Sequence, residues 1–150
     1  MIGLIQRVAM ARVEVQGEVV GAIDAGLLLL FCAEPQDTEL LADKMLGKIL
    51  RLRIFSDAGG KMNRSLQDLH AAGESAGLLI VSQFTLAADL SSGNRPGFGG
   101  AAPPELGRRL YDYFALQARA NFARVATGRF GTEMKVHLIN DGPVTIPIRL

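Results

Sequence analysis

Two short segments far apart in the chain carry side chains able to take part in chemistry, and neither holds a conventional catalytic group. They are Ser82-Gln83-Phe84-Thr85-Leu86 and Asn140-Asp141-Gly142-Pro143-Val144-Thr145. Each sets hydroxyl or amide side chains among residues with special backbone behaviour, inside strand-like sequence. That pattern suits a site built largely from main-chain groups. Thr85 is the hydroxyl that invites a nucleophilic role. A hydroxyl is weak at neutral pH, however, and needs an adjacent base or its own N-terminal amine. Thr85 is internal and no base lies nearby in sequence, so a hydrogen-bonding role ranks above covalent catalysis. Read by itself, Ser82 to Leu86 is a strand end whose hydroxyls satisfy the backbone. Gly142-Pro143 by itself is an ordinary trans turn, since only about 5–6% of X–Pro bonds are cis. A cis bond there would turn neighbouring carbonyls in one direction and form a rigid edge that glycine leaves unshielded.

Other chemistries lack their residues. The two histidines are His70 and His137, there is no cysteine pair, and no zinc-ligand spacing is recognisable. His137 shares an alternating face with Lys135, which reads as surface. A Ser-His-Asp arrangement stays open, though no Gly-x-Ser-x-Gly elbow supports it. The glycines of Gly97-Phe98-Gly99-Gly100 lack the Lys-Ser/Thr ending of a phosphate loop. Cys32, the lone cysteine, sits in the apolar run Leu27 to Ala33 and reads as a small core residue in a reducing, cytoplasmic setting. Lys and Arg number 16 against 15 Asp and Glu, a net charge of +1. That balance gives no support to strong nonspecific binding of DNA or RNA, which works by phosphate neutralisation. Contact with RNA must be local. No leader pattern or membrane-length apolar run is visible.

The elements that must position the two segments read as one domain over residues 1–150, α/β or α+β in class, mostly antiparallel or mixed sheet with two main helices. Met1 to Val15, Val19 to Ile23 and Leu27 to Ala33 read as three strands of an antiparallel meander. Asp37 or Thr38 caps a first helix that carries Leu40, Leu41, Met45 and Ile49. Arg51 to Phe55 begins a strand, and Lys61 to Leu66 returns as a strand or loop edge past the turn at Asp57-Ala58-Gly59-Gly60. Gly77 to Phe84 is a buried strand ending in the first segment. A Gly- and Ser-rich loop from Ser91 to Gly100 follows, long enough to suggest function. Pro103-Pro104 opens a second helix with Leu106, Leu110, Tyr113, Phe114 and Leu116 inward. Gly131 to Ile139 and Val144 to Leu150 are expected as the last two strands.

Taken together, the two segments resemble the signature of the D-aminoacyl-tRNA deacylases. The likeness extends through Gln6-Arg7-Val8, Gly17-Glu18-Val19-Val20-Gly21, Leu52-Arg53-Ile54-Phe55, Lys61 to Leu66, Ala101 to Glu105 and Val125 to Gly131, in the family's order. It implies that family's barrel-like fold, and a homodimer with active sites at the subunit interface. It implies hydrolysis of the ester joining a D-amino acid, or glycine, to the 3′ end of tRNA, with no metal or organic cofactor. The resemblance makes Gly142-Pro143 a cis pair inserted into a pocket of the other subunit, formed there by Ser82, Gln83, Phe84 and Thr85. A fixed backbone edge would collide with an L side chain and admit a D side chain or glycine's hydrogen. Arg7 resembles the basic residue supporting that edge, with Asn140 and Thr145 in the same segment. Met134 and Phe130 resemble the part shaping the pocket for the terminal adenosine.

One stretch departs from the family's pattern. Ala87, and Leu90 to Ser92, stand where an aromatic and basic residues are usual. This leaves the pocket core intact and bears on contacts to the tRNA backbone. Two rivals remain: an RNA-end-binding module without turnover, and a general small esterase, which would call for a base-activated nucleophile.

Overall fold

A computed structural model describes residues 1–150. The elements are β1 (Ile2–Val15), β2 (Glu18–Ile23), β3 (Gly26–Cys32), α1 (Glu39–Leu50), β4 (Phe55–Ser56), β5 (Met62–Arg64), α2 (Leu66–Ala71), β6 (Gly77–Ser82), a 3-10 turn (Phe84–Ala87), α3 (Pro104–Asn121), β7 (Val125–Thr127) and β8 (Lys135–Arg149).

The main sheet runs β2-β1-β3-β6-β7, with β8 on the other edge of β1. It is mixed: β1 pairs antiparallel with β2, β3 and β8, while β3–β6 and β6–β7 are parallel. The expected meander is corrected in one respect, because β2 and β3 do not pair with each other. With 14 residues, β1 is long enough to take both in succession along one edge, β3 over Ile2 to Val8 and β2 over Ala11 to Val15. The sheet curls until β2 meets β7. A Cβ on Gly21 would stand 2.3 Å from the carbonyl oxygen of Thr127, so only glycine permits that approach. The result is a nearly closed barrel.

Strand alternation divides the apolar residues into two cores. Leu27, Leu29 and Phe31 of β3, with Leu78 and Ile80 of β6, face the helices α1 and α3. Leu28 of β3 and Leu79 and Val81 of β6 face the barrel interior with Val13 and Val15 of β1. Both faces of β3 and β6 are therefore buried, which is why their sequences are continuous apolar runs. Cys32 is buried, as expected.

The helices differ from expectation in detail. Thr38 caps α1, its side chain accepting from the amide of Leu41. The buried face of α1 is Ala42, Met45, Leu46, Ile49 and Leu50, leaving Leu40 65% exposed. On α3, Tyr111, Ala115 and Ala118 join Leu110 and Phe114 inside, and Leu116 is 62% exposed. In both cases alanines mark the inner face, where the large leucines suggested another. A third helix, α2, follows β5. Ser65 and Asp68 form a reciprocal capping box at its start, with Ser65 Oγ accepting from the Asp68 amide at 3.2 Å and the Asp68 carboxylate accepting from the Ser65 amide at 2.8 Å. The short β7 was not anticipated, and the two expected C-terminal strands are one, β8. No helix is long and apolar enough to cross a membrane.

Candidate active site

The first segment straddles a change of structure. Ser82 ends β6 opposite Phe31, the amide of Gln83 donates to the Phe31 carbonyl at 2.8 Å, and the chain then tightens into the 3-10 turn. Within that turn, Leu86 and Ala88 donate to the carbonyls of Gln83 and Thr85. The amides of Phe84 and Thr85 stand at the start of the turn, where a helical segment has no partner of its own to offer them.

Beside this turn lies a cleft of about 630 Å³. Ser82, Gln83 and Phe84 form one part of its wall; Phe130, Met134 and Phe98 contribute others. The structure thus brings together Ser82–Phe84 and the expected adenosine-pocket residues, although 46 or more positions separate them in the chain (130 − 84). Thr85 is not on that wall. It is exposed, with its hydroxyl accepting from Gln83 Nε2 at 2.6 Å. Phe84 is 57% exposed and meets Phe98 edge to face at 5.0 Å between ring centroids.

Hydrophobic packing sets the position of this wall. Tyr111 of α3 reaches through the core and donates to the carbonyl of Ile80 at 3.0 Å, with the Gly128 carbonyl also within reach at 3.3 Å. Its ring lies 5.7 Å from that of Phe130. One side chain therefore ties β6 to the segment bearing Phe130. Burial pushes the Tyr111 phenol up to about 12, so it stays a donor. Burial likewise pushes the Cys32 thiol, on the cleft wall, up to about 11, and it donates to carbonyls as a neutral group. Neither histidine reaches the cleft. His137 lies 3.4 Å from Glu14 across β1 and β8, and His70 packs against Phe122.

The second segment forms a bulge within β8. Gln6 of β1 pairs with Thr145 and Val8 with Asn140, so Arg7 alone spans what takes Asp141 to Val144 on the other strand. The extra residues loop outward, and Asp141, Gly142 and Pro143 are exposed. The Gly142-Pro143 peptide bond is cis. Side chains lace the loop shut. Asn140 Oδ1 accepts from the Val144 amide at 2.7 Å, and its Nδ2 donates to the Val144 carbonyl and the Thr145 hydroxyl, each at 3.1 Å. Gln6 Nε2 also donates to Thr145, at 3.2 Å. Arg7 donates from Nε to the Asp141 carbonyl at 2.9 Å and from Nη1 to the Ile54 carbonyl at 2.6 Å. Gly142 has φ +144, and a Cβ on it would fall 2.7 Å from Val144 Cγ2 and 2.9 Å from the Val144 amide nitrogen. No other residue type fits there without displacement.

Within one chain the two segments do not meet: neither Gly142 nor Pro143 lines the cleft. The residues missed in the sequence are Tyr111, Phe98 and Cys32. The Tyr111 signal was its i, i+3 relation to Phe114 on an inward helix face, obscured by Tyr113 two positions on.

The family model described as D-Tyr-tRNA(Tyr) deacylase matches residues 4–149. A D-aminoacyl-tRNA deacylase of Acidovorax ebreus (strain TPSY) is 66% identical, aligned over 100% of this chain and 98% of the relative. One of Variovorax paradoxus (strain S110) is 61% identical, over 100% and 99%. Among solved structures, a c-Myc DNA unwinding element binding protein superposes with TM-score 0.91 at 38% identity, covering 100% of this chain and 99% of that one. A probable eukaryotic D-amino acid tRNA deacylase superposes with TM-score 0.78 at 19% identity, over 98% and 97%, a likeness of fold.

Proposed function

The chain belongs to the D-Tyr-tRNA(Tyr) deacylase family, and from that premise we propose that it hydrolyses the ester of D-aminoacyl-tRNA, and of glycyl-tRNA, while sparing L-aminoacyl-tRNA. The observation that carries the reading is a cleft joining Ser82–Phe84 to Phe130 and Met134 without a histidine, beside relatives of 61–66% identity that bear the deacylase name.

A cleft of this composition works by placement. Amides at the start of the 3-10 turn, around Phe84 and Thr85, polarise the ester carbonyl, and such donors are worth about 2.7–4 kcal/mol each when aimed at a developing oxyanion. Water attacks, helped by the ribose 2′-hydroxyl of the substrate, which makes the reaction depend on RNA. Phe130 and Met134 hold the terminal adenosine. No residue of the cleft is asked to become a nucleophile.

Selection comes from a second subunit in this reading. The exposed Gly142-Pro143 edge enters the partner's cleft and leaves no room for an L side chain. Two features support a homodimer. β8 pairs with β1 alone, so one long edge stays open, and open edges need covering. Along β8, Val136, Leu138, Val144, Ile146 and Ile148 are only half-buried and Ile139 is 59% exposed. A DNA-binding reading, raised by the name of one structural relative, gains no support from a net charge of +1.

The test is release of amino acid from matched D- and L-tyrosyl-tRNA, with glycyl-tRNA alongside. Fast release from the D ester and from glycyl-tRNA, with the L ester spared, is the expected result. Equal release from D and L esters means a general esterase. No release from any of them means an RNA-end-binding module without turnover.

A further inference from the structure

Among the residues lining the cleft, Glu133 is the one carboxylate and there is no basic side chain. An RNA end nevertheless brings a phosphodiester immediately beside its terminal nucleoside, and phosphate affinity comes from positive partners. A cation does stand over the aromatic wall. The guanidinium carbon of Arg108, in the second turn of α3, lies 4.9 Å from the centroid of the Phe130 ring. A Cβ placed on Gly131 would lie 3.7 Å from its Nη2. Phe130 and Gly131 both line the cleft, so two contacts fix Arg108 at its rim.

The way Arg108 is held matters as much as its place. None of the ion pairs of the fold includes it, although Glu105 is one turn earlier on the same helix. An arginine gripped by a carboxylate has its N–H fork engaged. One resting on a ring face keeps the fork free for an anion, and the planar fork matches phosphate oxygens two at a time. Gly107, just before it, contributes no side chain between α3 and the ring, so the helix can approach Phe130 closely.

We propose that Arg108 is a binding residue that grips the phosphate attached to the terminal nucleoside of the RNA while Phe130 and Met134 hold that nucleoside. The inference rests on the reading of the cleft given above and extends it to a group that reading leaves without a partner. A phosphate contact fixes register and orientation. Here it sets how far the RNA end enters the cleft, and so where the ester lies relative to the 3-10 turn.

Adenosine 5′-monophosphate and adenosine are the probes, differing by the phosphate alone. Their affinities are measured by titration of the intact protein, wild type beside Arg108→Gln and Arg124→Gln. Arg124 is an exposed cation preceding β7, away from the cleft lining. The wild type is expected to bind the monophosphate about tenfold more tightly than adenosine, the worth of one charge-assisted contact. Arg108→Gln abolishes that preference and keeps the adenosine affinity; Arg124→Gln keeps both. Equal binding of the two probes by the wild type, or failure to bind either, overturns the proposal. So does a preference that survives Arg108→Gln, or one lost equally in Arg124→Gln. Loss of adenosine along with the monophosphate in Arg108→Gln assigns Arg108 to packing of Phe130 and overturns it as well. Deacylation of D-tyrosyl-tRNA by the same wild-type preparation separates this from the underlying reading. A phosphate preference without deacylation leaves Arg108's role standing and removes the deacylase reading, and the converse result does the opposite.

Discussion

Where Ser82, Gln83 and Phe84 leave β6, the chain is held by the core: a strand buried on both faces, Tyr111 tying β6 to the Phe130 segment, and aromatic rings in contact on either side. Where Asp141 to Val144 leave β8, it is held by polar side chains on an edge strand, with Arg7, Asn140 and Gln6 closing the loop over open surface. The two segments ask different things of the protein. A cleft wall set by packing tolerates loss of one hydroxyl, because many contacts determine its position. A bulge set by a few hydrogen bonds has no such reserve. Changes at the bulge should therefore cost accuracy and rate in a barrel that stays folded, even where a lost bond lowers its stability, whereas changes behind the cleft should cost stability first.

Gly142→Ala is the strongest attack on the bulge. The new Cβ meets Val144 at 2.7–2.9 Å with φ at +144, so the edge must shift. Misplacement by about 1 Å can lower a rate on the order of 100-fold. Hydrolysis of D-tyrosyl-tRNA should fall by that order while the far-UV circular dichroism stays native. Undiminished activity and selectivity in this variant would contradict the role given to the edge. Arg7→Gln comes next. It leaves the carbonyls of Asp141 and Ile54 without a guanidinium donor in a side-chain environment only 12% exposed. Stability should fall by about 1–3 kcal/mol, in the range for a partly buried polar group left unpaired. The ratio of D- to L-ester hydrolysis should fall with it, and an unchanged ratio would mean that Arg7 supports the fold alone.

The same contrast explains what could be read from the chain. The strands behind the cleft announce themselves as continuous apolar runs, since burial on both faces permits nothing else; the run Gly77 to Phe84 is legible as a strand for that reason, although the strand ends at Ser82. The likeness of Ser82–Thr85 and Gly142-Pro143 to a family signature is what singles out both segments in the sequence. What it could not convey is that the cleft lining stops at Phe84, where the chain tightens into the 3-10 turn and the Thr85 hydroxyl is taken up by Gln83. The bulge was hidden for a different reason. Val136 to Leu138 and Val144 to Ile148 each alternate correctly, so the sequence reads as two strands with a turn. Only pairing with β1, four residues against one, shows a single strand carrying an insertion. The inner helix faces were misread at Leu40 and Leu116 because small alanines were passed over in favour of larger apolar side chains. Ser65 and Asp68, three residues apart, are the local signal for α2.

Thr85→Val sharpens the comparison from the cleft side with a smaller expected effect. It removes a hydroxyl that accepts from Gln83 and keeps the shape of the side chain. As a hydrogen-bonding residue its loss should lower the deacylation rate by about tenfold or less, in keeping with one bond worth about 0.5–1.5 kcal/mol. Loss of a true nucleophile removes activity by several orders of magnitude, about 10⁶-fold in the best-studied case. A collapse of that size would show that the cleft uses covalent chemistry after all.

The smallest effect at working pH should come from two buried titratable groups, Cys32 on the cleft wall and Tyr111 behind it. Burial raises Cys32 from 9.0 to about 11 and Tyr111 from 10.0 to about 12. For both, the folded protein holds the proton to higher pH than the unfolded chain does. Stability tied to them is therefore complete below about pH 9 and is lost as the unfolded chain, but not the folded one, releases protons between pH 9 and 12. Urea unfolding midpoints should show no contribution from either group between pH 6.5 and 8.5, then fall above pH 9. Cys32→Ala should remove the earlier part of that fall, and Tyr111→Phe the later part, at the cost of the bonds to Ile80 and Gly128. If neither variant alters the alkaline limb, the barrel fails first elsewhere. Packing behind the cleft would then not be the element that limits its stability, and the contrast with the bulge would lose its basis.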